Sequence, residues 1–388
     1  MRVAIVSESF LPQVNGVSST VRHILDRLVE SGHQAMVLAP GCGDDAYRGA
    51  PVVRVRSVRL PRYPSFPLGL PDPAVRQALE RFRPDVVHLA SPVLLGACGL
   101  RAARRLGVPT VAVYQTDLSG FAGQYAVPAG TLLDRWTARL HRGADRTLVP
   151  SGSSWAQLEA LGVGDLHLWR RGVDLTMFDP DRRSRQLHDT WARVDAAGGP
   201  RTVVGFVGRL AREKQVRRLL EVARVPGIRL VVVGDGPERP WLQARLPDAV
   251  FTGMLGGAEL ARAFASLDVF VHTGTNETFC QTVQEAQASG VPVVAPASGG
   301  PLDLVTDGVS GLLYDAADPR GLRRAVATAV GDPALRTRMA DAGRAAVAGR
   351  SWAGVVDQLV SEHYLGVLGQ PVAAALPSQR ELGTGTAA

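Results

Sequence analysis

Two glutamates, Glu277 and Glu285, flank the start of a predicted helix at a spacing that suits a ligand carrying phosphate and hydroxyl groups. The pattern predicts a helix over residues 279–289, because Thr278 as N-cap and Gln281 three residues later match a capping box. The first backbone N–H groups of such a helix have no intrahelical acceptor, and they attract anions. These donors would belong to Phe279, Cys280 and Gln281.

Glu285 lies further along the same predicted helix, roughly 9 Å from its first residue at a rise of about 1.5 Å per residue. If a diphosphate or a sugar occupied the helix start, the Glu285 carboxylate could accept hydrogen bonds from both hydroxyls of a ribose. Glu277 sits just before the cap. The simpler alternative is a solvated pair of glutamates beside an ordinary helix cap.

Two cations follow another predicted strand, over residues 203–207. Arg209 and Lys214 come directly after Gly208 at the end of this strand, and Lys214 is the only lysine among the 43 basic residues. Arginine can bind a diphosphate through two parallel hydrogen bonds, and lysine can bind it as a compact charge. The pair could therefore neutralise a diphosphate leaving group. A strand-to-helix loop with surface bases is the alternative.

The remaining candidates lie in loops of the first half. Gly16 precedes the first predicted helix, where a glycine lets the backbone approach a phosphate closely. Asp117 closes the segment Tyr114-Gln115-Thr116-Asp117 after another strand, and it could orient an acceptor hydroxyl or a donor sugar. A turn residue at Gly16 and a capping aspartate at Asp117 are the alternatives.

Some kinds of site are not expected. Neither the first loop nor residues 234–239 contain the full Gly-x-Gly-x-x-Gly pattern of a dinucleotide site. The histidines and cysteines are scattered without ligand spacing, so no metal site is predicted. Asp179 and Asp181 have the spacing of a metal–diphosphate clamp but lie in a linker.

The strands and helices that would position these residues alternate along the chain, which is typical of parallel sheets covered on both faces. The alternation breaks between residues 176 and 200, where charged and turn-forming residues dominate. We therefore predict an α/β protein with two doubly wound, Rossmann-like domains, over residues 1–175 and 200–350, facing a cleft. A last helix over 352–368 precedes a tail, 369–388, that is predicted to be disordered.

Composition restricts the class of protein further. Apolar residues make up 46% and charged residues 20% of the 388 positions, which is ordinary for a globular protein and excludes a disordered or collagen-like chain. Three cysteines are too few for a disulfide framework. Charges near the start and the lack of long apolar runs argue against a signal peptide and a membrane span, so a cytoplasmic protein is expected.

Positive charge is concentrated in the first half of the chain. Residues 1–175 carry a net charge of +6 and residues 176–388 a net charge of +1. Within the first half, residues 52–70 interleave four arginines with apolar and aromatic residues, a pattern that suits an anionic membrane surface rather than nucleic acid. The alternatives are an arginine-rich composition without functional meaning and a loop whose arginines are solvated.

Four motifs together resemble those of the retaining glycosyltransferases of family four, which have the GT-B fold. They are Arg-Gly-Val-Asp-x-x-x-Phe at 171–178, Gly-Arg-Leu-x-x-Glu-Lys at 208–214, Gly-Asp-Gly-Pro at 234–237 and Glu-x7-Glu at 277–285. The Asn15-Gly16 loop and a C-terminal helix that returns to the first domain also agree. The resemblance covers about residues 1–368.

Residues 8–17 and 114–117 further resemble actinobacterial members of this family that transfer mannose from GDP-mannose to lipid-linked acceptors. The resemblance implies α-linked transfer of a hexose, most simply mannose, to a hydroxyl of a lipid-linked or glycan acceptor at the inner face of the plasma membrane. No metal cofactor is implied. The chain departs from many relatives, which carry histidine where Gln115 or Asp117 stands and glycine where Cys280 stands.

The resemblance also implies roles for residues, with the first domain binding the acceptor and the second the donor. Arg209 and Lys214 would hold the donor diphosphate in place of a metal ion. Glu277 would bind hydroxyls of the donor sugar, and Glu285 would bind the ribose. The other implied positions are Gly16, Gln115, Gly208, Asp235, Gly253, Met254, Leu255, Thr278, Phe279, Cys280 and Gln281. The leaving phosphate would accept the acceptor's proton, so no carboxylate nucleophile is required.

Other functions remain open at this point. A UDP-sugar-dependent glycosyltransferase with a small-molecule acceptor and a sugar-nucleotide epimerase would share the same cleft. A nicotinamide oxidoreductase is disfavoured because the dinucleotide fingerprint is missing. A catalytically inactive binding protein is disfavoured because the charged residues of the implied donor site are all present, namely Arg209, Lys214, Glu277 and Glu285.

Overall fold

Two parallel β-sheets, one in each half of the chain, organise the computed structural model. The structure describes residues 1–60, 63–124, 129–193 and 201–370. The first sheet and its hairpin use ten strands: β1 Arg2–Ser7, β2 Gln34–Pro40, β3 Ala46–Tyr47, β4 Ala50–Val55, β5 Ser57–Leu60, β6 Tyr63–Gly69, β7 Val86–Ala90, β8 Thr110–Val113, β9 Arg146–Val149 and β10 Leu166–Leu168. The second sheet has six: β11 Thr202–Val207, β12 Ile228–Val233, β13 Val250–Gly253, β14 Val269–Val271, β15 Val293–Pro296 and β16 Gly311–Tyr314.

Helices cover both sheets. They are α1 Gly16–Glu30, α2 Pro73–Phe82, α3 Leu94–Leu106, α4 Leu118–Gln124, α5 Gly130–His141, α6 Gly152–Ala160, α7 Arg185–Ala192, α8 Leu219–Val222, α9 Arg239–Gln243, α10 Gly257–Ala265, α11 Gln281–Ala288, α12 Pro301–Leu304, α13 Gly321–Gly331, α14 Pro333–Val347, α15 Trp352–Gln358 and α16 Leu365–Val367. Short 3₁₀ helices lie at Pro180–Arg182, Arg212–Lys214 and Val216–Arg218, and a π-helical turn, Leu359–Tyr364, joins the last two α-helices.

The strand order confirms the predicted fold class of two doubly wound parallel sheets. The first sheet runs β10-β9-β8-β7-β1-β2-β4-β3, and β3 alone is antiparallel to its neighbour. The second sheet runs β13-β12-β11-β14-β15-β16 with every described pair parallel. β5 and β6 form a separate antiparallel hairpin. In both sheets the strand order reverses beside the first strand, so loops at the carboxyl ends of neighbouring strands diverge and leave a crevice.

The central strands are buried on both faces, as their sequences predict. In β1, Val3, Ala4 and Ile5 are fully buried between helices, and β11 is equally apolar. Helix α1 begins as a capping box, in which the Asn15 and Ser18 side chains each accept from the other's backbone N–H. Gly16 is thus the first residue of α1.

The C-terminal helices return to the first sheet. Val356, Leu359 and Tyr364 pack in the same core as β1, and the Tyr364 hydroxyl lies 2.8 Å from Nδ1 of buried His88. Trp169 Nε1 donates a hydrogen bond to the carbonyl of Val355 at 3.0 Å. The chain therefore crosses from the first sheet to the second after β10 and comes back after α14. The predicted disordered tail lies, from residue 371 onward, outside the described residues.

No helix in the described ranges is long and apolar enough to cross a membrane.

Candidate active site

An ion pair lies where the second sheet's central strands end. Lys214 closes the 3₁₀ turn after β11, and Glu277 lies between β14 and α11. Lys214 Nζ donates a hydrogen bond to Glu277 Oε1 at 2.6 Å. Nε2 of His272, which follows β14 directly, lies 3.2 Å from the same oxygen. Two residues that the sequence placed in separate motifs thus meet because β11 and β14 are neighbours in the sheet.

The electrostatics of this cluster keep Glu277 ionised. Burial acts to raise the pKa of Glu277, but Lys214 and His272 outweigh it and hold the pKa well below its ordinary value. Burial acts to lower the pKa of Lys214, and the Glu277 carboxylate overcomes this and raises it. The pKa of His272 is raised to about 10, against burial, by Cys280 and Glu277. The cluster therefore presents fixed charge to a ligand.

Arg209 is held differently from Lys214. Its guanidinium hydrogen-bonds to Glu213, one turn further along the same loop. Burial lowers the pKa of Arg209, and Glu213 acts to raise it. A diphosphate could replace Glu213 as the partner of Arg209, because phosphate oxygens accept the same bidentate hydrogen bonds.

Two glycine-bearing loops pack closely beside this cation. Gly208 follows β11, and Gly234 has a φ of 134°; a Cβ on Gly234 would lie 2.0 Å from the Gly208 carbonyl oxygen. The side chain of Asp235 accepts from the Gly236 N–H and from Arg239 Nη1, each at 2.7 Å. Asp235 therefore shapes this loop with its carboxylate already engaged.

The predicted base-lining segment follows β13. Gly253 accepts a hydrogen bond from the Gly234 N–H at 2.8 Å, which joins the two loops. Met254 is 75% exposed, whereas Leu255 packs partly against the core. An exposed apolar side chain such as Met254 is suited to packing against a planar base.

The start of α11 differs from its prediction. The helix begins at Gln281 after Cys280, whose φ is 80°, and no side chain caps it, so the predicted capping box is wrong. Thr278 Oγ1 instead donates to the carbonyl of Gln115 at 3.0 Å, and Gln281 Nε2 donates to the carbonyl of Gly172 at 2.9 Å. Both side chains serve contacts with the first half of the chain, which a local pattern cannot reveal. Among the described residues, no acceptor is found for the N–H groups of Phe279, Cys280 and Gln281.

A buried arginine, to which no sequence pattern assigned a role, joins the two halves of the cleft. Arg171 Nη2 donates to Gln115 Oε1 at 3.0 Å, and its guanidinium lies 5.9 Å from the Phe279 ring. Burial lowers the pKa of Arg171 to about 10, although Glu277, Cys280 and Glu285 act to raise it. A Cβ on Gly16 would lie 2.9 Å from Arg171 Nη1. The only sequence signal was its position at the start of the Arg-Gly-Val-Asp motif.

Glu285 is available for a ligand. Its carboxylate has no hydrogen-bond partner among the described residues, and burial raises its pKa to about 8, with Arg171 acting to lower it. A pair of ribose hydroxyls would supply the donors that this carboxylate lacks.

Asp117 has a local role in the structure. Its Oδ1 accepts from Ser119 Oγ at 3.0 Å and from the Gly120 N–H at 2.9 Å, in the first turn of α4. This is the capping arrangement that stood as the alternative interpretation. The neighbouring Thr116 Oγ1 accepts from Ser91 Oγ at 2.8 Å, so hydroxyl groups line this strand end.

Possible metal ligands are arranged differently from the prediction. Asp179 accepts from the Asp181 N–H and pairs with Arg344, so these aspartates do not form a clamp. The expectation of scattered histidines and cysteines is wrong at one place: ligand atoms of His272, Glu277 and Cys280 all lie within 4.8 Å of one another. The ends of β14 and α11 bring these residues together, which spacing alone does not show.

Comparisons with known proteins agree with this architecture. The model of Glycosyltransferase Family 4 matches residues 14–177, and that of Glycosyl transferases group 1 matches residues 189–346. A GDP-mannose-dependent alpha-mannosyltransferase of Mycobacterium tuberculosis is 51% identical over 378 residues, covering 95% of this chain and 98% of that protein. A GDP-mannose-dependent alpha-(1-6)-phosphatidylinositol dimannoside mannosyltransferase of the same species is 27% identical, covering 87% and 90%.

Among solved structures, sucrose-phosphate synthase from Thermosynechococcus elongatus matches with a TM-score of 0.79 at 20% identity, covering 95% of this chain and 99% of that one. The fold is thus GT-B, and the cleft with its charged strand ends is that of a glycosyltransferase. The chain belongs to glycosyltransferase family 4, a family of retaining enzymes.

Proposed function

We propose that the protein transfers mannose from GDP-mannose, with α linkage, to a hydroxyl of a lipid-linked or glycan acceptor. The observation that carries the proposal is the 2.6 Å pair of Lys214 and Glu277 at adjacent strand ends, with Arg209 on the same loop and Glu285 on the following helix. The high identity to a GDP-mannose-dependent enzyme over nearly the whole chain supports the choice of donor.

In this proposal the second sheet, within residues 200–350, binds the donor. Arg209 and Lys214 neutralise the diphosphate and stabilise the charge that develops as it leaves. Glu277 remains a carboxylate between Lys214 and His272, so it accepts hydrogen bonds from sugar hydroxyls rather than attacking the sugar. Glu285 binds the ribose, and Met254 with its neighbours Gly253 and Leu255 lines the base.

The first sheet, within residues 1–175 and completed by the helices of 352–368, presents the acceptor. Gly16 lies at the start of α1, and its own N–H would approach the β-phosphate, since those of Val17 and Ser18 donate to Asn15 Oδ1. Arg171 adds a buried cation beside it. The acceptor hydroxyl attacks the sugar on the face that the diphosphate leaves, and its proton passes to a leaving-phosphate oxygen. Asp117, whose Oδ1 accepts from Ser119 and Gly120, is the carboxylate on this side of the cleft that could orient that hydroxyl.

The donor site works without a metal ion in this proposal. Mg²⁺ prefers oxygen ligands in octahedral geometry, and two carboxylates beside the proposed diphosphate are already bound by cations, Glu277 by Lys214 and Glu213 by Arg209. Two fixed cations supply the charge that a metal would bring. Transfer is therefore expected to persist in excess EDTA, and loss of activity that Mg²⁺ or Mn²⁺ restores would contradict this part.

We further propose a peripheral contact with the anionic inner face of the plasma membrane. The 52–70 segment can contribute only in part: Arg54 Nη2 donates to the carbonyls of Leu11 and Asp44, and Arg56 pairs with Asp72. The side chains of Arg59, Tyr63 and Phe66, and all of Arg62, lie outside the described residues.

Two packed helices offer more exposed charge. Arg101 and Arg105 lie one turn apart on α3, and Arg135 and Arg139 lie one turn apart on α5, all four exposed. Leu132 on α5 is 69% exposed, which adds an apolar side chain beside these charges. Basic groups near anionic headgroups with an apolar residue between them favour reversible docking.

A donor panel tests the central proposal. Thermal unfolding of the purified protein is measured with GDP, UDP, ADP and NAD, followed by transfer assays with GDP-mannose and UDP-glucose on a mannose-accepting glycolipid. We expect stabilisation by GDP above the others, because bound ligand shifts unfolding by mass action, and transfer from GDP-mannose alone. If UDP stabilises the protein most and UDP-glucose supports transfer, the donor is a UDP-sugar rather than GDP-mannose. Stabilisation by NAD would contradict the proposed mannosyl transfer.

A further inference from the structure

Three side chains with different metal-binding atoms converge at the donor cluster. The imidazole of His272, the carboxylate of Glu277 and the thiol of Cys280 place one ligand atom each within 4.8 Å of the others. They come from the end of β14, the following loop and the residue before α11. Gly274 leaves room for this convergence, because a Cβ there would lie 3.1 Å from both His272 Nε2 and Glu277 Oε1.

His272 is buried without a satisfied ring. It is 2% exposed, and beyond the 3.2 Å contact of Nε2 with Glu277 Oε1, neither ring nitrogen makes a hydrogen bond of good geometry with any described residue. Its backbone is fixed, because its N–H donates to the Val294 carbonyl and its own carbonyl accepts from the Tyr314 hydroxyl. Buried polar groups nearly always have a partner, so an imidazole held in this state indicates a missing ligand.

Cys280 is held in a strained position beside this ring. Its φ of 80° lies in the left-handed region, which is unfavourable for a residue other than glycine. The thiol is buried, and its recorded contact within the described chain is Thr282 Oγ1 at 3.7 Å. Strain that persists at a ligand site is often part of that site's chemistry.

We propose that His272, Glu277 and Cys280 form a binding site for a thiophilic divalent cation of the Zn²⁺ type, and that this cation competes with the sugar nucleotide. One nitrogen, one sulfur and one carboxylate oxygen are the ligands that Zn²⁺ prefers, and a fourth position would take water. Mg²⁺ and Mn²⁺ prefer oxygen ligands, so they are not expected to bind here. The competition, but not the metal site itself, rests on the proposed function.

Binding changes the donor site in two ways. The Cys280 thiol and the protonated His272 ring each lose a proton to solvent, and Glu277 exchanges the Lys214 ammonium for the metal ion. The ion's two positive charges are balanced by the thiolate and the carboxylate. Lys214 then loses its buried partner, which limits affinity below that of a structural zinc site. Glu277 is no longer free to accept from a sugar hydroxyl, so the cation inhibits transfer.

Cobalt substitution tests the site directly. The full chain, stripped of metal with EDTA and dialysed, is titrated with Co²⁺ while the near-ultraviolet thiolate-to-cobalt band and the visible d–d bands are recorded. We expect these bands to saturate at one ion per chain and to disappear when Zn²⁺ is added. The Cys280→Ser and His272→Gln variants should lose them, and Cys42→Ser, which changes an exposed thiol, should keep them. Circular dichroism confirms that each variant is folded.

Competition with the sugar nucleotide separates the two proposals. GDP-mannose should abolish the cobalt bands at lower concentration than GDP, because only the sugar reaches Glu277. Absence of the bands from the wild-type protein, or their persistence in Cys280→Ser, would overturn the metal site, even if GDP-mannose still raised the melting temperature. Bands that GDP-mannose does not displace would contradict the competition and the assignment of Glu277 to the sugar.

Discussion

At the scale of single residues, Lys214 and Arg209 are the cations that the proposed transfer depends on. Replacing either with alanine should reduce kcat/KM about 100- to 1000-fold, because each would bind the diphosphate and stabilise the charge that develops as it leaves. Steady-state transfer from GDP-mannose measures the effect. Arg212→Ala is the matched control, since this exposed residue lies on the same turn and pairs instead with Glu238.

The control should retain near wild-type turnover. Equal turnover in Lys214→Ala and wild type would contradict the diphosphate role of the lysine. Lys214→Ala also leaves Glu277 and His272 without their ammonium partner, so a folded circular dichroism spectrum is required before its rate is interpreted.

Variants of Glu285 and Glu277 should differ in which ligand they bind more weakly. Glu285→Gln should weaken GDP and GDP-mannose alike, because both carry the ribose, whereas Glu277→Gln should weaken GDP-mannose and leave GDP nearly unchanged. The raised pKa of Glu285, about 8, adds a pH signature. Below that pH the free carboxyl is protonated and must ionise to bind both hydroxyls, so GDP affinity of the wild-type protein should rise from pH 6.5 to 8.5.

Calorimetry with both ligands on both variants makes the measurement. In Glu285→Gln, the rise of GDP affinity from pH 6.5 to 8.5 should disappear. In Glu277→Gln, this rise should remain as in the wild-type protein. The same loss of GDP binding in both variants would refute the division of roles.

The sequence predicted which site residues meet only where they follow neighbouring parallel strands. Lys214 and Glu277 each follow a strand, and parallel strands bring such loops to one edge, so their meeting was foreseeable. Arg171 was not, because its role comes from contacts with Gln115, Phe279 and the backbone at Gly16, all distant in sequence. The cluster of His272 with Cys280 likewise depends on the exact path of the chain between β14 and α11.

At the scale of elements, helix α3 depends on a carboxylate from another segment. Val93 provides no side-chain cap; Glu8, after β1, accepts from the N–H groups of Val93 at 2.7 Å and Gly96 at 2.8 Å. Burial raises the pKa of Glu8 to about 7, although these backbone hydrogen bonds act to lower it. The folded protein therefore binds a proton at Glu8 between pH 4.5 and 7 that the unfolded chain has released.

Stability should consequently fall as pH rises through this window, by roughly 3 kcal/mol from this group alone at about 1.4 kcal/mol per pKa unit. Glu8→Gln keeps an acceptor for the same N–H groups but cannot ionise. Denaturant unfolding between pH 4.5 and 8 should show a shallower decline for Glu8→Gln than for wild type. Parallel stability profiles would show that Glu8 titrates normally.

Element boundaries show where local patterns succeed and fail. Asn15 forms the capping box of α1 with Ser18 because its Nδ2 donates to Ser9 Oγ and leaves Oδ1 to accept from the helix N–H groups. The equally good pattern at Thr278 and Gln281 is used for tertiary contacts with Gln115 and Gly172, so α11 starts later and without a cap. A sequence motif predicts a cap only where tertiary partners leave its side chains available.

At the scale of the whole molecule, hydrogen bonds cross the cleft away from the proposed donor site. Asp303 on α12 accepts from the Gly152 N–H at 3.0 Å, at the start of α6, and Ser154 Oγ donates to the carbonyl of Thr278 at 3.3 Å. These contacts and Arg171 set how the two sheets face each other. Arg171 belongs to both sets, because it joins the two halves and is also the cation proposed beside the β-phosphate.

The distribution of charge between the two halves gives the last prediction. The protein should cosediment with phosphatidylglycerol vesicles at low salt and be released as salt rises, because screening weakens attraction to anionic headgroups. Replacing Arg101, Arg105, Arg135 and Arg139 with serine should remove most of this binding, at about 1 kcal/mol for each arginine near the surface. Transfer to a water-soluble acceptor should be unchanged, since these side chains lie on the outer faces of α3 and α5.

The matched control removes exposed arginines from the second half instead. Serine at Arg320, Arg323, Arg324 and Arg338, all exposed, lowers the net charge equally but changes only the neighbourhood of α13 and α14. If attraction depended on net charge alone, both variants would lose binding to the same extent. Retention by the control and loss by the α3/α5 variant would locate docking on the first half. If the wild-type protein does not bind anionic vesicles at low ionic strength, the docking proposal is wrong. The net charge of +6 in residues 1–175 would then reflect only the arginine-rich composition.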